Sequence, residues 1–219
     1  TRRAPDLELT VSGGTNHIIE YLGPGARTIS CTGKATITNM GAELGATTSI
    51  FPYDESMSRY LRATNRAGIA DVANEYADML RADDEVEADP ASFFDKIVEI
   101  VLSTLEPQIV GPPSPARARP ISQMAAEVAD ADNNFIDEVS SALIGSCTNS
   151  SYEDMSRAAD VAEQASAHGI KAATPLMVTP GSEQVRATIE RDGQLDSLRA
   201  IHAVRSDEHT SELQSRTNP

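Results

Sequence analysis

At 219 residues the chain is long enough to bury a genuine core, as one large domain or two small ones. Its 33 acidic against 18 basic residues give a formal net charge of −15, which repels phosphate backbones and argues against nucleic acid as a partner. No apolar run approaches the roughly 18 residues of a membrane helix, and two cysteines, Cys31 and Cys147, make no disulfide framework, so a reducing compartment fits best. Aromatic residues are scarce at 4% with no Trp, which leaves a core of Ala, Val, Ile and Leu. The first residues, Thr1-Arg-Arg-Ala-Pro5, contain neither a Met nor a signal-peptide apolar segment, as expected of a fragment or a processed product.

Leu7 to Val11 alternates apolar and polar residues and predicts a strand. Ile18 to Leu22 predicts a second, closed by the turn composition Gly23-Pro24-Gly25, and Arg27 to Cys31 a third extended run. After a break at Thr32-Gly33, the apolar positions Ala35, Ile37, Met40, Ala42, Leu44 and Ala46 predict a short helix carrying Gly41 and Gly45. Glycines inside a helix cost about 1 kcal/mol each relative to Ala, so their presence implies close approach by another backbone or a ligand. The same helix would put Asn39 and Glu43 on one face. An amide and a carboxylate projecting together can bind a hydroxyl, a water or a metal-bound oxygen, or form a solvated surface pair.

Asp54 to Leu80 follows the helical period with an interruption at Asn65 to Gly68, which predicts two helices. Arg81 to Pro90 is acidic and predicts a solvated loop. Phe93 to Leu102 fits helix or strand by period; its β-branched residues from Ile97 onward, with Pro107 beyond, favour a strand. Gly111 to Pro120 is Pro-rich and predicts a stiff linker and a domain boundary, giving domains at 1–110 and 121–204. Ser122 to Val128 predicts a short helix, and Asp130 to Glu138 a polar loop.

Ala142 to Gly145 then predicts a strand, Ser146 to Ser151 a tight polar turn, and Tyr152 to His168 a helix ending at Gly169. Cys147 therefore falls at a strand's carboxyl end beside a helix N-terminus, where unpaired N–H groups favour a thiolate. It is a candidate ligand or nucleophile; the plainer alternative is a small buried hydrophobe. Leu176 to Thr179 predicts the next strand, Pro180 to Ser182 its turn, and Glu183 to Arg199 a further helix. Strand, helix, strand, helix implies a parallel α/β layer, with Cys147 and the Thr179-Pro-Gly-Ser182 turn at one sheet edge.

Three strings resemble one known family. Gly145-Ser-Cys-Thr-Asn-Ser-Ser-Tyr-Glu-Asp-Met155 is similar to the cluster-ligand motif of the aconitases. Ile29 to Gly33 followed by Asn39-Met-Gly-Ala-Glu-Leu-Gly-Ala-Thr-Thr-Ser49-Ile-Phe-Pro-Tyr53, and Thr179 to Gly193, also look like aconitase segments, and the likeness runs from Ser12 to about Ile201. The resemblance implies an internal fragment of the mitochondrial type, holding most of a second and the start of a third α/β/α domain, incomplete at both ends.

It further implies that Cys147 ligates a four-iron, four-sulfur (4Fe-4S) cluster, that Asn39 and Glu43 reach the cluster's open iron and its water, and that Cys31 is structural. The full-length protein is expected to be a monomeric hydratase of the mitochondrial matrix, interconverting citrate and isocitrate through cis-aconitate, with a small tri- or dicarboxylate as substrate. Isopropylmalate and homoaconitate hydratases share Gly-Ser-Cys-Thr-Asn and are the neighbouring alternative; a non-catalytic α/β fragment is another. Aconitases hold the cluster with three cysteines, and one thiolate cannot hold it, so this chain alone is expected to be inactive. His17 and His168 are read as structural. Residues 205–219 lack an apolar period and resemble a translated sequencing adapter, so His209 is given no role.

Overall fold

The computed structural model describes residues 12–111, 118–130, 132, 135, 138–145 and 148–205. The strand expected at Leu7 to Val11, Cys147, and all but the first residue of the 205–219 tail lie outside the described residues. The chain divides into two units, Thr1–Phe135 and Ile136–Pro219.

In the first unit, β1 (Ile18–Glu20) pairs in parallel with β2 (Thr48–Ile50), Ile18 opposite Thr48 and Glu20 opposite Ile50. Two helices cross between them, α1 (Pro24–Thr28) and α2 (Cys31–Met40). The expected third strand at Arg27 to Cys31 is therefore not extended: it is the end of one helix and the start of the next. Two local devices outweigh its β-branched residues. Pro24 begins α1 with its φ preset and no N–H to satisfy, and the Ser30 hydroxyl accepts from Gly33 N–H at 3.1 Å to cap α2. Thr32 and Gly33 lie inside α2 rather than breaking the chain.

The helices α3 (Glu55–Ala63) and α4 (Ala67–Glu75) appear where the period placed them, separated at Asn65, whose φ is 61°. The acidic stretch holds a short helix, α5 (Asp84–Ala88), whose Glu87 accepts from Arg27 at 2.6 Å. Phe93 to Val101 forms no strand; the run is irregular up to a 3-10 turn at Leu102–Thr104. β-branched residues suit a strand only where a neighbouring ladder accepts their backbone groups. Gln108–Val110 (β3) pairs antiparallel with Ala118–Pro120 (β4), which lies at the end of the Pro-rich stretch expected as a linker, and α6 (Ile121–Ala129) follows. Among the described residues of this unit, the buried hydrophobic side chains are Ala26 and Ala70, while Lys34, Ser58 and Arg119 are buried polar ones.

The second unit is a three-stranded parallel sheet in the order β5 (Ala142–Gly145), β6 (Leu176–Thr179), β7 (Ala203–Arg205). The strand β7 was not foreseen. Helix α7 (Tyr152–Ala167) joins β5 to β6; α8 (Glu183–Arg191) and α9 (Gln194–Ala200) join β6 to β7. The single helix expected over Glu183 to Arg199 is split at Gly193, whose φ of 81° lies outside the helical region. Met155, Ala159 and Ala162 share one face of α7 and pack with Val178, Ile189, Leu195, Leu198 and Ala203 in one core. The class is α/β, as the strand and helix order predicts.

Candidate functional site

The carboxyl edge of the second unit's sheet is built from two turns that leave adjacent strands. Gly145 ends β5 with φ 118°, and a Cβ there would overlap the carbonyl oxygen of Thr179, its partner across the ladder. Only glycine allows both the positive φ and the close approach. Beyond β6, Gly181 N–H donates to the Ser150 carbonyl at 3.0 Å, and a Cβ on Gly181 would lie 2.9 Å from that oxygen. Ser150 is wholly buried.

Helix α7 opens at this edge with a reciprocal cap. The Ser151 hydroxyl accepts from Asp154 N–H at 3.2 Å, and the Asp154 carboxylate accepts from Ser151 N–H at 3.1 Å. Ser182 caps α8 in one direction only, its hydroxyl accepting from Val185 N–H at 3.2 Å. Cys147 belongs to the chain between Gly145 and Thr148 but is outside the described residues, so its side chain is not part of this geometry. The described part of this edge, a strand's carboxyl end and a helix N-terminus, suits an anion.

In the first unit the structure brings Asn39 and Glu43 into one segment, though not onto one helical face. Helix α2 ends at Met40, with Asn39 in its last turn. Glu43 follows in a run of tight turns, where Ala42 N–H donates to the Asn39 carbonyl at 3.2 Å and Glu43 N–H to that of Met40 at 3.0 Å. Both residues are exposed. The close approaches expected at the two glycines are present. A Cβ on Gly41 would overlap the Ser49 hydroxyl, and one on Gly45, whose φ is 77°, would meet Thr15 Oγ1 at 2.8 Å. After these turns Gly45 leads the chain back against Gly14 to His17. There Gly14 N–H donates to the Leu44 carbonyl at 2.9 Å and Thr47 N–H to that of His17 at 2.9 Å. His17 is exposed, with Nδ1 2.7 Å from the Thr15 carbonyl, and Cys31 is a partly buried free thiol. Burial pushes that thiol's pKa up; the nearby Lys34 and Arg66 charges oppose the shift and Asp54 adds to it.

Sequence reasoning passed over Lys34. Its side chain is 3% exposed, ion-paired with Asp54 and 3.2 Å from the Ser56 hydroxyl. Its ammonium also lies 5.9 Å from the centroid of the Phe51 ring, which stacks on Tyr21 at 4.4 Å. The available signal was its register: residues 34, 37, 38 and 41 line the side of α2 turned from solvent. Asp54 also caps α3, accepting from Met57 N–H at 3.2 Å. Burial works to raise its pKa, but the hydrogen bonds from Lys34, Ser56 and Met57 outweigh it, so the carboxyl titrates below its ordinary range. Nearby, a cavity of about 360 Å³ is lined by Glu20, Phe51, Tyr53, Met57, Met79 and Arg81, among others.

Among the described residues, no group of three or more His, Cys, Asp or Glu side chains could hold a metal ion. With two cysteines in the whole chain, and Cys31 in the first unit beside Lys34, the residues present do not by themselves fit a four-iron cluster.

The aconitase family (aconitate hydratase) model matches residues 7–206. The mitochondrial aconitate hydratase of Schizosaccharomyces pombe is 56% identical over 196 residues, which cover 90% of this chain and 24% of that protein. That of Saccharomyces cerevisiae is also 56% identical over 196 residues, covering 89% and 24%. The mitochondrial homocitrate dehydratase of Saccharomyces cerevisiae is 54% identical over 191 residues, covering 86% and 23%. The chain spans about a quarter of the length of the curated relatives it matches.

Proposed function

Because the chain belongs to the aconitase family, we propose that it is part of a mitochondrial aconitate hydratase that interconverts citrate and isocitrate through cis-aconitate. The observation that carries this reading is the identity to proteins of that name over nine-tenths of the chain. In it, residues 1–110 belong to the second domain of the full-length protein, 111–120 to a linker, and 121–204 to the start of the third, with 205–219 foreign to the protein. The whole protein acts as a monomer on a small tri- or dicarboxylate. No described helix is long and apolar enough to cross a membrane.

Cys147 supplies one thiolate to a 4Fe-4S cluster whose other cysteines lie outside this chain. When bound, such a cluster supplies a Lewis acid that makes hydroxide a tolerable leaving group. Asn39 can donate a hydrogen bond and Glu43 can accept one, so together they orient the water or hydroxyl exchanged with substrate. The 219-residue chain alone is inactive in this reading.

The homocitrate dehydratase relative supports a second reading, in which the substrate is the one-carbon-longer homocitrate. The test is anaerobic reconstitution of the full-length protein with iron and sulfide, followed by the ultraviolet absorbance of the unsaturated acid formed from citrate, isocitrate, homocitrate or isopropylmalate. Turnover of citrate and isocitrate, abolished together with bound iron in Cys147→Ser, is expected. Turnover of homocitrate alone favours the second reading, and iron binding unaffected by Cys147→Ser removes Cys147 from its role.

A further inference from the structure

Lys34 on α2 and Gly41 just past its end lie seven residues apart, and both meet the same stretch of chain. Lys34 reaches the Asp54 carboxylate, the Ser56 hydroxyl at 3.2 Å and the face of Phe51, while Gly41 abuts the Ser49 hydroxyl. Asn39 falls between these two anchors, and Glu43 follows the second. The rotation and height of α2 against residues 49–56 thus determine where Asn39 and Glu43 are presented.

The chemistry of the first anchor is an expensive choice for stability alone. Burying an ammonium and a carboxylate incurs a desolvation penalty that an apolar side chain of similar length, such as Met, does not incur. What the pair adds over Met is direction. An ammonium held by one carboxylate oxygen, one hydroxyl and one ring face has a single position, whereas apolar packing tolerates sliding.

We propose that the Lys34–Asp54 pair is a positioning device that fixes α2, and with it Asn39 and Glu43, for the hydration chemistry; this rests on the proposed function. Lys34 touches neither substrate nor cofactor in this role. It acts through the helix it holds.

The test uses the full-length, reconstituted protein and the double substitution Lys34→Met with Asp54→Ser. Serine keeps a cap for α3 while the ion pair is removed. The expected result is a kcat lower by about tenfold, KM within about twofold, and an unchanged melting temperature and iron content, since small misplacement costs rate before it costs binding. In a background that carries both Asn39→Ala and Glu43→Gln, the same pair of substitutions is expected to lower kcat by less than about twofold, because groups that act as a unit are not additive. An unchanged kcat overturns the proposal, as does a loss of equal size in the background that lacks both Asn39 and Glu43. Should the double variant not fold, Lys34→Arg keeps the charge and alters its reach. A lower kcat at unchanged KM then supports the proposal, and wild-type kcat overturns it. An unsubstituted protein inactive on every hydroxy acid overturns the function itself, a failure distinct from either of these.

Discussion

The Gly181 backbone N–H donates to the Ser150 carbonyl at 3.0 Å, tying the turn that leaves β6 to the turn that leaves β5. The contact is possible because residue 181 has no side chain: a Cβ would stand 2.9 Å from the same oxygen, and a backbone oxygen cannot swing aside as a side chain can. Gly181→Ala is therefore expected to destabilise the protein by about 1–3 kcal/mol through overpacking. Denaturant unfolding measures that loss. Bound iron in the full-length protein is expected to fall with it, because the displaced turn follows Cys147 in the chain.

The cap of α7 gives a milder prediction. Ser151→Ala removes the acceptor for Asp154 N–H and is expected to cost about 1 kcal/mol. Ser151→Asp restores an acceptor and should recover most of that. Equal midpoints for Ser, Ala and Asp in urea would show that the cap contributes nothing.

Met155, wholly buried on α7, lies at the centre of the second unit's core. Met155→Ala is expected to lower stability by about 2–5 kcal/mol, the range for a deleted core side chain that leaves a cavity. Met155→Leu, close in volume, is expected to cost less than about 1.5 kcal/mol. Thermal unfolding of the two variants side by side separates volume from chemistry.

Asp54 sets an acid limit on the first unit. Its carboxyl is held below the ordinary range, because hydrogen bonds from Lys34, Ser56 and Met57 N–H outweigh burial. A carboxyl with a lowered folded-state pKa contributes stability that is fully present above the unfolded value of about 3.9 and is lost as pH falls through the folded value. Stability measured in urea against pH should therefore fall from about pH 4 downward, with a slope that Asp54→Ser reduces. An identical acid limb in that variant would remove Asp54 from the account.

The chain's local order was legible because its signals lie within a few residues of one another. The apolar run at Ala142 to Gly145, the small polar residues before Tyr152 and the spacing of Met155, Ala159 and Ala162 together specify β5, the cap and the buried face of α7. Gly41 and Gly45 foretold close approach by another backbone or a ligand, and what approaches is a pair of side-chain hydroxyls, Ser49 and Thr15; the strings around Asn39 and Cys147 carried the family resemblance that the comparisons bear out. Their catalytic and ligand roles stay with the experiments above.

What only the tertiary structure decided depended on partners far away in the chain. Arg27 to Cys31, by contrast, read as extended although the signals that make it helix ends, Pro24 and the Ser30 cap, are local ones. Phe93 to Leu102 had the composition of a strand and found no ladder to join. Lys34 meets Asp54 twenty residues on, and Ser150 meets Gly181 across a whole helix and strand. Caps and helical periods are properties of neighbouring residues, so the sequence by itself determined them. Ladder pairing, buried charge and a glycine's close contact are properties of two segments at once, and only the folded chain brings those segments together.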